Sequence, residues 1–525
     1  MPYETGFVYT SEISTWWNGF VFGADLSRIY TSLFFQAGYL LGEVTGFAGS
    51  YVPFQIVYAA LWWARGLLVF LVVRRVLPAY DAFAFLAGAM VLVHSSDGAT
   101  EWVGQMPQWS YMFWMLAAVY LLIRGIEETG ARRIVFLALA ILCEHFTLWT
   151  YESPIVIILL APILLLRFQP SARRAWRALA AWYGLASVYL GVLAFRYAHS
   201  SGQTYQQAVM RRDWNVGALL NDWLFNVYQS LAFWGWSREM SRSEPAGSVL
   251  VLAALAAAVV IGGVSVLGVK RIPEARKLFG AACVGSLLLV CSFPAYLVLE
   301  SARSLWRTQI LSGLGAGVVL ASAIAVASRA AGGWARVAVV AILSGCVAWF
   351  GSHSALKKSA HHRAVWELYR HAMTEVLQVA PRIRPGTLIV LKNVPREQDP
   401  FAGDNLWFDM AVRLAYPGVP VDGVYLYDDG SMPGGPKPQI ESPSRWIMSG
   451  GSLVHEGGIG SIFCIRYSQS EQPAVLDHLP APWAETSGQY EPTSRIAPGP
   501  PPQRVIRRFR LNERQDSMVV RQTPE

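Results

Sequence analysis

The chain has 525 residues, of which 54% are hydrophobic and only 15% charged, with a mean hydropathy of +0.33 and 21 Trp. Soluble domains carry about a quarter charged residues, so this composition excludes an ordinary soluble globular class and marks an integral membrane protein. The formal net charge of +8 resides mostly before residue 353, after which basic and acidic residues nearly balance, and this placement argues against a nucleic-acid partner.

Residues 1–52 are aromatic-rich and mixed in polarity, without the basic leader and apolar core of a signal peptide, and read as an external, loop-like segment. Ten apolar runs follow, at about 53–75, 82–97, 106–124, 133–150, 152–168, 177–196, 247–268, 278–298, 308–328 and 334–352. Several are shorter than the roughly 20 residues that a bilayer asks for. The pair 133–150 and 152–168 reads either as two spans or as one hairpin bent at Tyr151–Pro154. A mainly α, polytopic domain over 53–352 is the expectation, with a large external loop at 197–246.

Basic residues alternate between the connecting loops. Arg74 and Arg75, Arg124 to Arg133, Arg167 to Arg177, Lys270 to Lys277, and Arg329 with Arg336 fill one set of short turns. The positive-inside rule makes that set cytoplasmic. The N-terminal segment, the 97–105 loop, the 197–246 loop, the 299–307 loop and the C-terminal tail then share the outer face. An external N-terminus is awkward to translocate: either the short head crosses unaided or a further span lies upstream of residue 1, and the second is the preferred expectation.

From residue 353 the long apolar runs stop and Gly and Pro rise. Val365, Leu368, Met373, Val376 and Leu377 recur at helical spacing over 362–380, Gly386–Lys392 reads as a buried strand, and a second strand is expected near 461–467. A small external α/β domain over 353–495 is expected, with a Pro-rich linker and loose tail over 496–525. Cys143, Cys283, Cys291 and Cys346 lie in apolar runs and Cys464 stands alone in the tail, so no disulfide framework is available outside the membrane.

The stretch 93–105 carries His94, Asp97, Glu101, Trp102 and Gln105 with no Lys or Arg, between two apolar runs. The expected outer surface therefore gathers acids (Glu4, Asp25, Asp97, Glu101, Glu152) and arginines (Arg28, Arg211, Arg212, Arg303, Arg307) near span ends. Glycosyl transfer at a membrane needs both: a carboxylate to take the acceptor's proton and cations to hold a lipid phosphate. Each residue has a plainer reading beside this one. Asp97 and Glu101 serve equally as helix caps, Glu152 precedes Pro154 in a helix-start arrangement, and Arg303 and Arg307 flank Trp306 as interfacial anchors do. Arg211 and Arg212 precede an amphipathic segment, 219–235, expected along the surface. Glu144 and His145 sit inside a span, where pairing with Arg65 is the expected structural role. Trp16, Trp17, Trp109, Trp234 and Trp236 fit either a membrane-interface belt or sugar-stacking platforms, the belt being the plainer reading for most of them.

Residues 25–168 resemble the N-terminal half of the GT-C superfamily, the multispanning glycosyltransferases that use polyprenyl-phosphate sugars, and most of all its protein O-mannosyltransferase-like branch. Glu4 stands where that branch has its first-loop acid, and Arg28, in Asp25-Leu-Ser-Arg28, where it has an Arg step. Arg74-Arg75 occupy the basic turn, His94 and Trp102-Val-Gly104-Gln105 the second loop, and Tyr151-Glu152-Ser153 the place of a Ser-Lys-Glu. No Pro follows His94, and Gln105 replaces an Arg. The resemblance covers roughly a third of the chain. It implies transfer of a sugar from a polyprenyl-phosphate donor to an external glycan, lipid or protein acceptor, with Glu4, Asp97, Glu101 or Glu152 as base. Arg28, His94, Trp102, Gln105, Arg211, Arg212, Arg303 and Arg307 would bind the substrates.

No Walker-type loop, no G-x-G-x-x-G after a strand, no H-E-x-x-H and no Cys/His cluster occurs. No tightly bound cofactor and no metal ligand are assigned; the partners expected are membrane lipids, the lipid-linked donor and the acceptor. The rival readings are a transporter or flippase and a non-catalytic scaffold of envelope assembly. A bacterial inner membrane is the expected location.

Overall fold

The computed structural model describes residues 29–31, 33–46, 52–97, 105–168, 176–199, 211, 214–232, 247–267, 272–298, 308–401, 403–416, 418–435, 437–442, 445–450, 453–468, 473–480, 490–501 and 505. The chain divides into two compact units, one within Thr10–His361 and one containing His362–Glu525.

The first unit is helical. Its elements are α1 (Leu33–Thr45), α2 (Val52–Val76), α3 (Asp81–Val93), α4 (Met106–Glu127), α5 (Gly130–Leu148), α6 (Ile155–Phe168), α7 (Trp176–His199), α8 (Val216–Leu231), α9 (Ser248–Val266), α10 (Ala275–Val290), the single turn α11 (Pro294–Leu297), α12 (Gly313–Ala330) and the start of α13 (Gly333–Val379). Among the described residues, seven helices are long and apolar enough to cross a membrane, namely α2, α4, α7, α9, Ala275–Leu297, α12 and α13, while α3 and α6 are shorter apolar helices. All ten apolar runs of the sequence thus become helices, but fewer of them reach spanning length than the ten spans expected. Residues 1–52 are not wholly loop-like, since α1 lies within them.

Their outward faces explain why composition and structure agree. Leu252, Val259 and Val260 on α9 and Ile134 and Val135 on α5 are exposed, as side chains facing lipid are. Inside, small residues permit close backbone approach, which is how helices pack where lipid competes for apolar contact. A Cβ on Gly317 of α12 would strike Val91, and one on Gly351 of α13 would strike the Val93 carbonyl oxygen. These two contacts clamp the last turn of α3 between α12 and α13, and so fix where residues 94–97 begin.

α13 runs without a break through residue 353, where the sequence reading ended a span and began a tail. Ser354–His361 contains neither Gly nor Pro and is rich in Ala and Lys, so nothing stops the helix.

The second unit contains the end of α13, β1 (Thr387–Val394), α14 (Asn405–Ala415), β2 (Val421–Tyr427), β3 (Pro438–Ser442), β4 (Arg445–Gly450), β5 (Leu453–Gly458), β6 (Ile462–Arg466) and β7 (Ala474–Val475). One sheet has the order β2-β1-β6-β7, with β1 parallel to both β2 and β6; β3, β4 and β5 form a separate antiparallel sheet. Central β1 buries both faces, Ile389 and Leu391 toward Phe408 and Val412, Leu388 and Val390 toward Trp446 and Cys464. That is why it reads as an unbroken apolar run rather than an alternating one. The strand expected at 386–392 and the one near 461–467 are β1 and β6. Beside them, burial pushes the Asp409 carboxyl up to about 6 against the pull of Arg413, whose Nη2 lies 2.9 Å away.

Candidate functional site

The helical unit has two chemically different ends. At one, the basic turns meet: Arg75 Nη1 lies 3.4 Å from Glu127 Oε2, Lys277 Nζ donates to Tyr80 OH at 3.2 Å, and Arg329 Nη1 donates to the Pro273 carbonyl at 2.9 Å. The α2/α3, α4/α5, α9/α10 and α12/α13 turns are thereby grouped together. At the other end, the segment that leaves α3, His94–Asp97, is buried in polar company.

That segment is held on every side. Arg65, 2% exposed in α2, donates from Nη2 to the carbonyls of Leu92 (3.3 Å) and His94 (3.4 Å) and lies over the Trp109 ring at 4.4 Å. His94 Nε2 donates to the Ser230 carbonyl at 2.8 Å, which leaves Nδ1 to accept from Ser96 Oγ at 3.4 Å and assigns the neutral tautomer. Ser95 Oγ donates to the Gly351 carbonyl at 3.1 Å. Lys358 of α13, 1% exposed, donates to the Ser95 carbonyl and, at 2.7 Å, to that of Asp97. The Asp97 carboxylate accepts the Gln309 backbone N–H at 2.9 Å.

From Gln309 the network passes into α8. Gln309 Nε2 donates to Asn226 Oδ1 at 2.7 Å, and its Oε1 accepts from Ser230, whose hydroxyl is 2.6 Å from that of Ser312. Asn226 donates to the Asp222 carbonyl at 2.9 Å, and Asp222 pairs with Arg211, whose backbone N–H donates to the Val298 carbonyl at 2.8 Å. Asp222, Asn226 and Ser230 recur every fourth residue and form one buried stripe, while Val216, Leu220, Leu224 and Tyr228 are exposed. The helix is amphipathic, as expected, but its polar side faces protein rather than solvent, while its apolar side faces out.

Next to this network stands the break between α5 and α6. Tyr30 N–H donates to the Trp149 carbonyl at 3.1 Å, Thr31 donates to the Thr150 carbonyl at 3.2 Å, and the Tyr30 hydroxyl is 3.0 Å from His145 Nε2. Ser153 Oγ and Tyr296 OH are 3.1 Å apart, and Tyr111 stacks on Tyr151 with centroids 5.8 Å apart. Asp97, Ser153, Tyr151 and Tyr296 are all electrostatic neighbours of Tyr111.

The sequence-derived candidates distribute as follows. His94 and Asp97 lie at the centre of the network, and Arg211 is joined to it through Asp222. Gln105 is fully buried at the start of α4, and Glu152 is half-buried just before α6, where its carbonyl accepts the Ile155 N–H at 3.2 Å. Glu4, Arg28, Glu101, Trp102, Arg212, Arg303 and Arg307 lie outside the described residues, as do Trp16, Trp17, Trp234 and Trp236. Two expectations are corrected. Arg65 does not pair with Glu144: its guanidinium serves carbonyls and Trp109, while both Glu144 carboxylate oxygens are buried without a hydrogen-bond partner. Trp109 belongs to no interface belt, being 1% exposed and stacked on Trp62 at 5.2 Å.

Lys358, Gln309, Ser312 and the α8 stripe were missed. A polar repeat at every fourth residue was visible at 222, 226 and 230, but the same periodicity serves a helix facing water or one facing a polar interior. Among the described residues, no group of three or more His, Cys, Asp or Glu could hold a metal ion. No family model, curated protein or solved structure matches the chain.

Proposed function

We propose that the acid-bearing end of the helical unit transfers a sugar from a polyprenyl-phosphate donor to an external glycan, lipid or protein acceptor. The observation that supports the reading is the bond from Gln309 N–H to the Asp97 carboxylate. It joins the acid-bearing segment after α3 to the segment that precedes α12, while Arg211 joins the segment before α8 to Val298. Three polar stretches, far apart in sequence, thus meet at one end of an otherwise apolar bundle.

In the proposed step the acceptor oxygen bonds to the anomeric carbon as that carbon's bond to the phosphate oxygen breaks. The lipid phosphate leaves with the bonding pair, and the acceptor's proton passes to a carboxylate. Asp97 is the carboxylate best placed for this among the described acids, with Glu152, in the α5/α6 break, as the alternative. Arg211, with Arg212, Arg303 and Arg307, would hold the phosphate, a role that suits the guanidinium fork. The same reading puts this end and the C-terminal unit outside a bacterial inner membrane.

The test is transfer in proteoliposomes from polyprenyl-phosphate sugars of defined headgroup. Asp97→Asn is expected to lower the rate at least a hundredfold. Unchanged transfer in Glu4→Gln, Asp97→Asn, Glu101→Gln and Glu152→Gln would sink the proposal, and reporter fusions placing residues 100 and 450 on opposite sides would sink its topology.

One observation favours a transporter instead. Glu144 is fully buried in α5 with both oxygens unpartnered, and an ionisable group inside a membrane helix is a functional candidate by default. Counterflow of a labelled solute that disappears in Glu144→Gln, with no sugar transfer by the parent protein, would select that reading.

A further inference from the structure

The first turns of α4 carry polar atoms that the chain itself leaves unsatisfied. Gln105 Nε2 and Oε1 and Gln108 Oε1 are buried without hydrogen-bond partners, as are the indole N–H groups of Trp109 and Trp114. Gln105 is 0% and Gln108 3% exposed. Native interiors satisfy the great majority of such groups, so a concentration of exceptions within a few turns calls for a physical reason. The adjoining His94–Gln309 network shows that this part of the fold can satisfy buried amides: Gln309 uses both ends of its side chain.

Gln105, Gln108 and Tyr111 follow one another at every third residue and form a slanted row along the helix. The row ends among hydroxyls, because Tyr111 neighbours Ser153 and Tyr296 and stacks on Tyr151. It contains no Lys or Arg, and the nearby Arg65 is turned to the carbonyls of Leu92 and His94 and to Trp109. An anionic ligand therefore finds no cation in the row. Among the described residues, the carboxylate beside the row is Asp97, a neighbour of Tyr111 that already accepts from Gln309. What matches carboxamides and phenols is a ligand whose groups both donate and accept, which is the property of a hydroxyl. Half-buried Tyr151, stacked on Tyr111, adds aromatic surface on which the C–H face of a ring can lie.

We propose that the row Gln105–Gln108–Tyr111 is a binding site for a neutral polyhydroxylated ring, with the two carboxamides bonding its hydroxyls. The proposal rests on the glycosyl-transfer reading for the identity of that ring as the sugar of donor or acceptor, and on the orphaned amides for its existence.

The experiment uses the full chain in lipid nanodiscs and titrates hexyl glycosides of glucose, mannose and galactose against 1-hexanol, followed by intrinsic Trp fluorescence. At least one hexyl glycoside is expected to bind tenfold or more tightly than hexanol. Gln105→Leu and Gln108→Leu are each expected to abolish that advantage while leaving hexanol binding unchanged. Both variants remove unsatisfied amides from a buried place, so their thermal midpoints are expected to stay level or rise, which separates lost binding from lost folding. If no glycoside is distinguished from hexanol, or if both variants bind it as the parent does, the row holds water only and the proposal falls. Transfer with an unchanged KM in both variants overturns the row and leaves the transfer reading standing. Glycoside binding that needs Gln105 and Gln108, with no transfer from any donor, does the reverse.

Discussion

The two ends of the helical unit are both polar, yet they are built on opposite principles. At the basic end, Arg75 and Glu127 meet with side chains 42% and 31% exposed, and Arg74 and Asp81 with both more than half exposed. Such pairs are solvated and replaceable, each contributing about 0–1 kcal/mol. At the acid-bearing end, His94, Asp97, Asn226, Ser230, Gln309 and Lys358 are almost completely buried and knit four segments together. A satisfied buried network stiffens and specifies a structure, and loses far more when one member is removed. Polar side chains are therefore solvated at one end and architectural at the other.

The sharpest way to break this comparison is Lys358→Met. It strips the ammonium from the carbonyls of Ser95 and Asp97, and leaving them buried without a donor is expected to destabilise the helical unit by about 2–5 kcal/mol. Thermal unfolding in nanodiscs would show it; a loss no larger than that of Arg75→Ala would erase the distinction between the ends. Gly351→Ala comes next, since its new Cβ would meet the Val93 carbonyl, and overpacking of this kind costs about 1–3 kcal/mol.

A carboxylate in the other unit calibrates what burial does without a membrane. Asp409 is raised to about 6, so its folded value exceeds its unfolded one. The sign follows: stability is full below about 4 and is lost as pH rises toward about 6, by about 1–3 kcal/mol. Asp409→Asn should flatten that part of the unfolding-midpoint profile, and an unchanged profile would refute the assignment. A double-mutant cycle of Asn226→Ala and Gln309→Ala should then give a coupling of about 1 kcal/mol. Arg75→Ala, with the smallest effect, should cost under about 1 kcal/mol and fade with salt.

What could be read from the residues follows the same division. Apolar runs marked where most of the helices lie, because lipid imposes hydrophobicity over a fixed length, but they missed α1 and the continuation of α13 past residue 352. The 93–105 stretch stood out because polar residues between two such runs have few explanations, and His94 and Asp97 do anchor the network. Lys358 was illegible: a Lys in a Lys- and Ala-rich stretch beyond a span reads as solvated, and only the close seat of Gly351 on Val93 brings it under the Ser95–Asp97 backbone. Gln309 was equally silent, since most of its bonds reach residues about eighty positions away or more. The orphaned amides of Gln105 and Gln108 have no signature in pattern at all. An unpaired group is a property of its surroundings.

The bonds that seat the Ser95 and Asp97 carbonyls come from one partner, Lys358, 263 and 261 positions later in the chain. During synthesis the early helices must therefore wait, their polar hinge open, until α12 and α13 leave the ribosome and close over it. Chains released before residue 358 should keep that hinge open and stay exposed to quality-control proteases.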